Sequence, residues 1–68
     1  MSHYYINKNE QPTGEHEVHK EGCFRMPEIQ NRIYLGFFSD AKDAVQEARK
    51  IFYNVDGCFY CANEAHKR

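Results

Sequence analysis

The chain is 68 residues long, 41% hydrophobic, and carries a formal net charge of −1. A domain of this size buries only about 60% of the surface that its unfolded chain exposes, so a disulfide or a metal ion is expected to stabilise it. Charges of both signs are scattered, and no apolar run approaches the roughly 18 residues of a membrane span. With no apolar leader at the N-terminus, we expect one cytoplasmic domain over residues 1–68.

The N-terminal half is predicted to form a β-hairpin followed by a loop. The run from Tyr4 to Ile6 contains strand-forming residues, and the polar stretch after it contains Pro12 and Gly14, which favour a tight turn. The segment from Glu15 to Lys20 can then pair back on the first strand. An exposed loop is expected from Gly22 to Asn31, because its proline disfavours both a helix and a central strand.

The C-terminal half is predicted to contain a strand and a helix. Ile33 to Phe38 is an apolar run of strand length, and either Ser39 or Asp40 can cap the helix that follows. From Ala41 onward, apolar residues recur at helical spacing at Ala41, Ala44, Val45, Ala48, Ile51 and Phe52. The helix is expected to end near Tyr53 or Asn54. The predicted fold class is α+β, with two or three antiparallel strands packed on one helix.

Four potential metal ligands occur as two close pairs. Three residues separate His19 from Cys23, two separate Cys58 from Cys61, and the predicted helix lies between the pairs. Zinc prefers a tetrahedron of thiolate and imidazole ligands, and short spacing lets two side chains of one segment reach the same ion. Three cysteines is an odd number, which argues against a disulfide framework. We therefore expect one structural zinc ion bound by these four residues.

Two alternatives to this assignment stay open. His16 and His66 lie near enough along the chain to replace His19 as the fourth ligand. The cysteines could instead be buried free thiols, with Cys58 and Cys61 acting as a redox-active C-x2-C motif. A motif of the thioredoxin type belongs at the start of a helix, whereas this one follows the predicted helix.

The chain matches no enzymatic motif completely. The two histidines at positions 16 and 19 are three apart, whereas zinc proteases of the H-E-x-x-H type need them four apart on a helix. Glu21 has the offset from His19 that the proton carrier has in zinc deaminases, but the chain is too short for the deaminase sheet. Because a zinc ion with four protein ligands has no open position for water, a non-enzymatic role is expected.

The expected function therefore lies on the surface. Phe24, Arg25 and Met26 directly follow one predicted ligand, and Tyr60 lies between the last two. Aromatic residues and arginine commonly anchor protein interfaces, so we expect a zinc-stabilised module that binds another protein. Two alternatives are that Phe24, Phe59 and Tyr60 pack around the metal, or that aromatic rings stack on nucleic-acid bases while basic residues contact phosphates.

These motifs resemble those of a family of short, uncharacterised bacterial proteins. They are the run His16-Glu17-Val18-His19 before Cys23, the run from Asn31-Arg32 to Gly36, and Gly57-Cys58 to Cys61. More distantly, the order of ligand pair, aromatic strand, helix and C-x2-C is similar to the metal-binding domain of bacterial methylphosphotriester DNA repair proteins. Those domains use four cysteines, one of which accepts the methyl group, whereas the first ligand position here is His19. The resemblance therefore implies a metal site and no methyl transfer.

Overall fold

A computed structural model describes residues 1–67 as a four-stranded sheet with one helix packed against it. The strands and the helix follow in chain order as β1 (Ser2–Asn7), β2 (His16–Lys20), β3 (Arg32–Phe38), α1 (Ala41–Ala48) and β4 (Val55–Gly57). Short 3-10 turns lie at Ile29–Asn31 and Asn63–Ala65. Within the described residues, no helix has the length and apolar character that crossing a membrane requires.

The sheet has the order β3-β1-β2-β4. The predicted hairpin is confirmed, because β1 and β2 are antiparallel and Ile6 pairs with Val18. The α+β class is also confirmed, but the sheet is larger than the two or three antiparallel strands predicted. Its fourth strand, β4, lies parallel to β2. Sequence patterns missed β4 because it is only three residues long and contains Asp56 and Gly57, which are typical of turns.

Helix α1 begins where the sequence predicts. The Asp40 side chain accepts a hydrogen bond of 3.1 Å from the backbone N–H of Asp43, so Asp40 is the N-cap. The helix buries the predicted apolar stripe against the sheet and leaves most of the charged face in solvent. The buried members are Ala41, Ala44, Val45 and Ala48.

The helix ends earlier than predicted, at Ala48 instead of near Tyr53 or Asn54. After Arg49, the N–H groups of Lys50 and Ile51 bond to carbonyls three residues back, which tightens the turn. Ile51 is consequently exposed, and the Phe52 ring stacks on His16 of β2, with ring centroids 3.7 Å apart. This contact with the sheet overrides the helical periodicity of the sequence.

The core is small and lies between the sheet and α1. Ile6 and Val18 are fully buried on the sheet side, and alanines fill most of the helix side. Cys58 belongs to the same cluster, and Cys23 and Cys61 pack at its margin. The apolar core therefore continues directly into the group of cysteines.

Candidate metal centre

The candidate metal site lies where β2 and β4 end. His19 is the next-to-last residue of β2, and Cys23 follows in the turn after it. Cys58 comes directly after β4, and its N–H donates a hydrogen bond of 2.9 Å to the Val18 carbonyl. Because β2 and β4 are parallel neighbours, their C-terminal ends lie side by side. This pairing brings together two ligand pairs that are far apart in the sequence.

The four potential ligand atoms surround a space of the size that a metal ion needs. All of them lie within 4.8 Å of one another. The Nδ1 atom of His19 is 3.7 Å from the Cys23 sulfur and 3.8 Å from the Cys61 sulfur, and the sulfurs of Cys23 and Cys58 are 4.0 Å apart. A tetrahedron with metal–ligand bonds of 2.0–2.3 Å has edges of roughly 3.5–3.8 Å. The four side chains are therefore close enough to hold a metal ion.

Backbone N–H groups point at two of the sulfurs. The N–H of Lys20 donates to the Cys61 sulfur at 3.3 Å, and the N–H of Arg25 donates to the Cys23 sulfur at 3.4 Å. Hydrogen bonds to an ionised acceptor are stronger than those to a neutral one, so both contacts favour the thiolate form. Both turns therefore present N–H donors to sulfurs that could bind a metal.

Two glycines permit the tight turns before the cysteines. Gly22 adopts a φ of +90°, a conformation that residues with a side chain rarely adopt. Gly57 lies so close to the C-terminal turn that an added Cβ would be 2.6 Å from the Ala62 carbonyl oxygen. Gly22 is therefore required by its backbone conformation, and Gly57 by its close packing against the C-terminal turn.

Burial controls the protonation of the site. His19 is 1% exposed, and burial, with a contribution from the Arg25 charge, lowers the pKa of its imidazole to about 4. The ring is therefore neutral at pH 7, which is the form that binds metals. Burial, together with a hydrogen bond to Cys23, raises the pKa of the Cys61 thiol. A redox-active C-x2-C motif needs a lowered thiol pKa, so burial of Cys61 disfavours that role.

The other two candidate histidines lie outside the cluster. The Nδ1 atom of His16 donates to the Asn7 carbonyl oxygen at 3.0 Å. The Nδ1 atom of His66 donates to the Gly57 carbonyl oxygen at 2.9 Å and lies 3.3 Å from an Asp56 carboxylate oxygen. Of the three histidines considered, the structure places only His19 among the sulfurs.

The predicted interaction residues lie on the two turns that carry the cysteines. Phe24 is 79% exposed, Phe59 is 53% exposed and Tyr60 is 58% exposed, so these rings do not form a closed shell around the metal site. Phe24 and Tyr60 meet edge to face at 5.1 Å, and the Arg25 guanidinium lies 5.4 Å from the centre of the Tyr60 ring. We call Phe24, Arg25, Phe59 and Tyr60 the aromatic patch. Met26 is half-buried beside it.

One residue beside the four potential ligands, Glu17, is not among the predicted site residues. Its Oε1 atom lies 3.6 Å from Nε2 of His19, on the side of the ring that faces away from the sulfurs. A signal was present, because residues two apart on a strand project from the same face of the sheet.

Comparisons with known proteins do not place the chain in a family. No family model, curated protein or solved structure matches it. The likeness to short bacterial proteins and to methylphosphotriester repair proteins therefore stays a prediction. Functional inference starts from the geometry of the site.

Proposed function

We propose that the chain is a non-enzymatic domain, stabilised by zinc, that binds another protein through the turns carrying its metal ligands. Three thiolates and one imidazole in a tetrahedral arrangement are a common ligand set for structural zinc. Four protein ligands leave no position for a substrate or a water molecule. The metal therefore supports the fold, and recognition takes place on the surface.

The expected contribution of zinc to folding is large. Structural zinc ions in finger-sized peptides contribute on the order of 10–16 kcal/mol of apparent binding free energy. The core of this chain consists mainly of small side chains, with Ile6, Val18 and Leu35 among its few larger aliphatic members. Zinc would also connect turns 35 residues apart, from Cys23 to Cys58. Such a link closes a loop that otherwise depends on weak contacts.

The exposure of the aromatic patch carries the binding proposal. Its three rings are more than half exposed, although each lies within two residues of a predicted metal ligand. Aromatic side chains and arginine are the residue types that most often anchor protein interfaces. Because the metal would hold both turns in place, the patch would meet its partner with little ordering of the backbone.

Photo-crosslinking tests this proposal. A benzophenone amino acid at position 24 is expected to form protein adducts in cells that the same group at position 53 does not form. Tyr53 is a suitable control because it is fully exposed and aromatic. With the identified protein purified, Phe24→Ala and Tyr60→Ala should each weaken binding by about 30-fold, as interface anchors do, while Tyr53→Ala leaves it unchanged.

Two results would contradict the proposal. The first is a set of adducts that is the same at positions 24 and 53. The second is loss of bound metal or of folding in Phe24→Ala and Tyr60→Ala, which would assign the rings to the core. Metal content and circular dichroism of each variant separate the second result from lost recognition.

A second candidate function, nucleic-acid binding, is favoured by the sheet face opposite α1. His3 and Tyr5 alternate with the buried residues of β1, and Tyr34 and Phe37 of β3 pair with them. The Arg32 guanidinium lies 4.8 Å from the centre of the Tyr5 ring. Rings and arginine on an open sheet can stack on single-stranded bases. Arg68, one of the basic residues expected to contact phosphates, lies outside the described residues.

Salt dependence distinguishes the two candidates. Binding to a single-stranded oligonucleotide would weaken steeply as salt increases, because phosphate contacts release counterions. Tyr34→Ala is expected to weaken binding to the oligonucleotide, whereas Phe24→Ala is expected to leave it unchanged. Binding that depends on Phe24 and changes little with salt supports the protein interface instead.

A further inference from the structure

Glu17 lies directly behind the proposed ligand His19. The two residues are next but one on β2 and project from the same face of the sheet. Their side chains are 14% and 2% exposed, and Oε1 of Glu17 is 3.6 Å from Nε2 of His19. The other ring nitrogen, Nδ1, is the one that lies near the sulfurs of Cys23 and Cys61. The imidazole therefore stands between the sulfurs and the carboxylate.

The carboxylate oxygen that faces the ring accepts no hydrogen bond from the described residues. Among the described residues, Oε1 of Glu17 is the buried side-chain oxygen without a hydrogen bond. Leaving a buried acceptor unsatisfied is costly, especially on a group that can carry charge. A neutral imidazole has a single N–H, so a ring that gives its Nδ1 lone pair to a metal carries its hydrogen on Nε2. That hydrogen lies on the ring nitrogen that is 3.6 Å from the unsatisfied oxygen.

We propose that Glu17 is a positioning residue for the metal site, accepting a hydrogen bond from Nε2–H of His19. This inference rests on the proposed zinc site and adds a residue that selects the tautomer and orientation of its only nitrogen ligand. Carboxylates that accept from a metal-bound histidine typically affect metal affinity by about 10–100-fold. A small closing movement would shorten the 3.6 Å separation to hydrogen-bond length.

Zinc affinity of Glu17 variants, measured by competition with a chromophoric chelator, tests the role. Glu17→Ala is expected to weaken zinc binding by about 10-fold or more. Glu17→Gln should restore most of it, because the amide oxygen still accepts a hydrogen bond. The control is Glu21→Ala, which removes an exposed carboxylate two residues beyond His19. Its zinc affinity should stay within about two-fold of that of the original chain.

A second measurement reports the tautomer directly. In the zinc-loaded chain, long-range proton–nitrogen NMR spectra should show Nδ1 of His19 bound to metal and a protected Nε2–H. In Glu17→Ala, the same proton should exchange faster with water, while cobalt absorption still indicates a tetrahedral site. A variant that loses structure without zinc is studied in excess zinc, so that the comparison is made between folded chains.

Three results would overturn the role of Glu17. They are unchanged zinc affinity in Glu17→Ala, an affinity in Glu17→Gln as low as in Glu17→Ala, and coordination through Nε2. Each presupposes an original chain that binds zinc, so these results reject only the Glu17 proposal. Absence of zinc binding by the original chain would instead reject the metal site itself.

Discussion

Spacing along the chain does not by itself identify the fourth metal ligand, as the three candidate histidines show. His16, His19 and His66 all lie near a cysteine in sequence, but the strand periodicity of β2 and the fold of the C-terminal turn separate them. His16 stacks on Phe52 and bonds to a backbone carbonyl, whereas His19 faces the sulfurs. The fourth ligand could not be chosen from the sequence because the choice depends on which neighbour each ring meets.

Substitution of these histidines gives the first prediction. His19→Asn should weaken zinc binding by about 100-fold or more, because one of four ligands is lost from a site worth on the order of 10–16 kcal/mol. His16→Asn is the matched control on the same strand and should keep one zinc per chain, although it loses the stacking on Phe52. Isothermal titration with a competing chelator measures both. Equal affinities in the two variants would exclude His19 as a ligand.

Protons released on zinc binding give a second prediction at this scale. Zinc binds cysteine as the thiolate, so three cysteine ligands would release up to three protons, and burial, which raises the pKa of the Cys61 thiol, keeps that proton in place until the metal binds. His19 contributes none in the folded chain, because its pKa is lowered to about 4 and its ring is already neutral. Zinc affinity should therefore fall by up to about 1,000-fold per pH unit as the pH decreases below 8.

Calorimetry in buffers of different ionisation enthalpy counts these protons. A value near three per zinc supports three thiolate ligands. A value near one would show that most of the cysteines do not bind the metal.

Helices and strands could be predicted from the sequence where one physical cause determines them. The stripe from Ala41 to Ala48 was predicted because a helix with one buried face imposes its period on the sequence. The end of α1 and the strand β4 were not, because both depend on contacts with distant residues. Phe52 leaves the helix to stack on β2, and β4 exists because its three residues find an unpaired edge of β2.

The start of α1 is held by one local and one distant hydrogen bond. Asp40, one of the two residues that the sequence allows as a cap, accepts from the N–H of Asp43, while a Glu64 oxygen accepts from the N–H of Ala41 at 3.0 Å. Twenty-three residues separate Ala41 from Glu64, so no local pattern indicates this second bond. It connects the helix to the C-terminal turn that follows Cys61.

Removal of the local cap gives a third prediction. Asp40→Ala should lower the free energy of unfolding by about 1 kcal/mol, because the N–H of Asp43 loses its acceptor. Ser39→Ala is the matched control, since Ser39 is exposed and its hydroxyl only reaches the exposed side chain of Asp43. Urea unfolding in constant excess of zinc measures both changes. An effect of Ser39→Ala as large as that of Asp40→Ala would contradict the assignment of the cap.

In the whole molecule, the sheet and the turns from both halves of the chain meet at the candidate metal site. The sheet, the turn after β2 and the turn after β4 each contribute ligands, and Cys58 also belongs to the apolar core. The four side chains lie together where the hairpin meets the C-terminal turn. The parallel pairing that brings them together could not be predicted, because it joins segments without any shared sequence pattern.

The stability of this fold is proposed to depend on one bound zinc ion. Elemental analysis of protein purified without a histidine tag, combined with thermal melting before and after a strong chelator, tests it most directly. We expect one equivalent of zinc per chain and loss of the cooperative transition on chelation, restored by added zinc and not by magnesium. Protein that contains no metal and melts unchanged with chelator would exclude a structural zinc ion and leave the cysteines as free thiols.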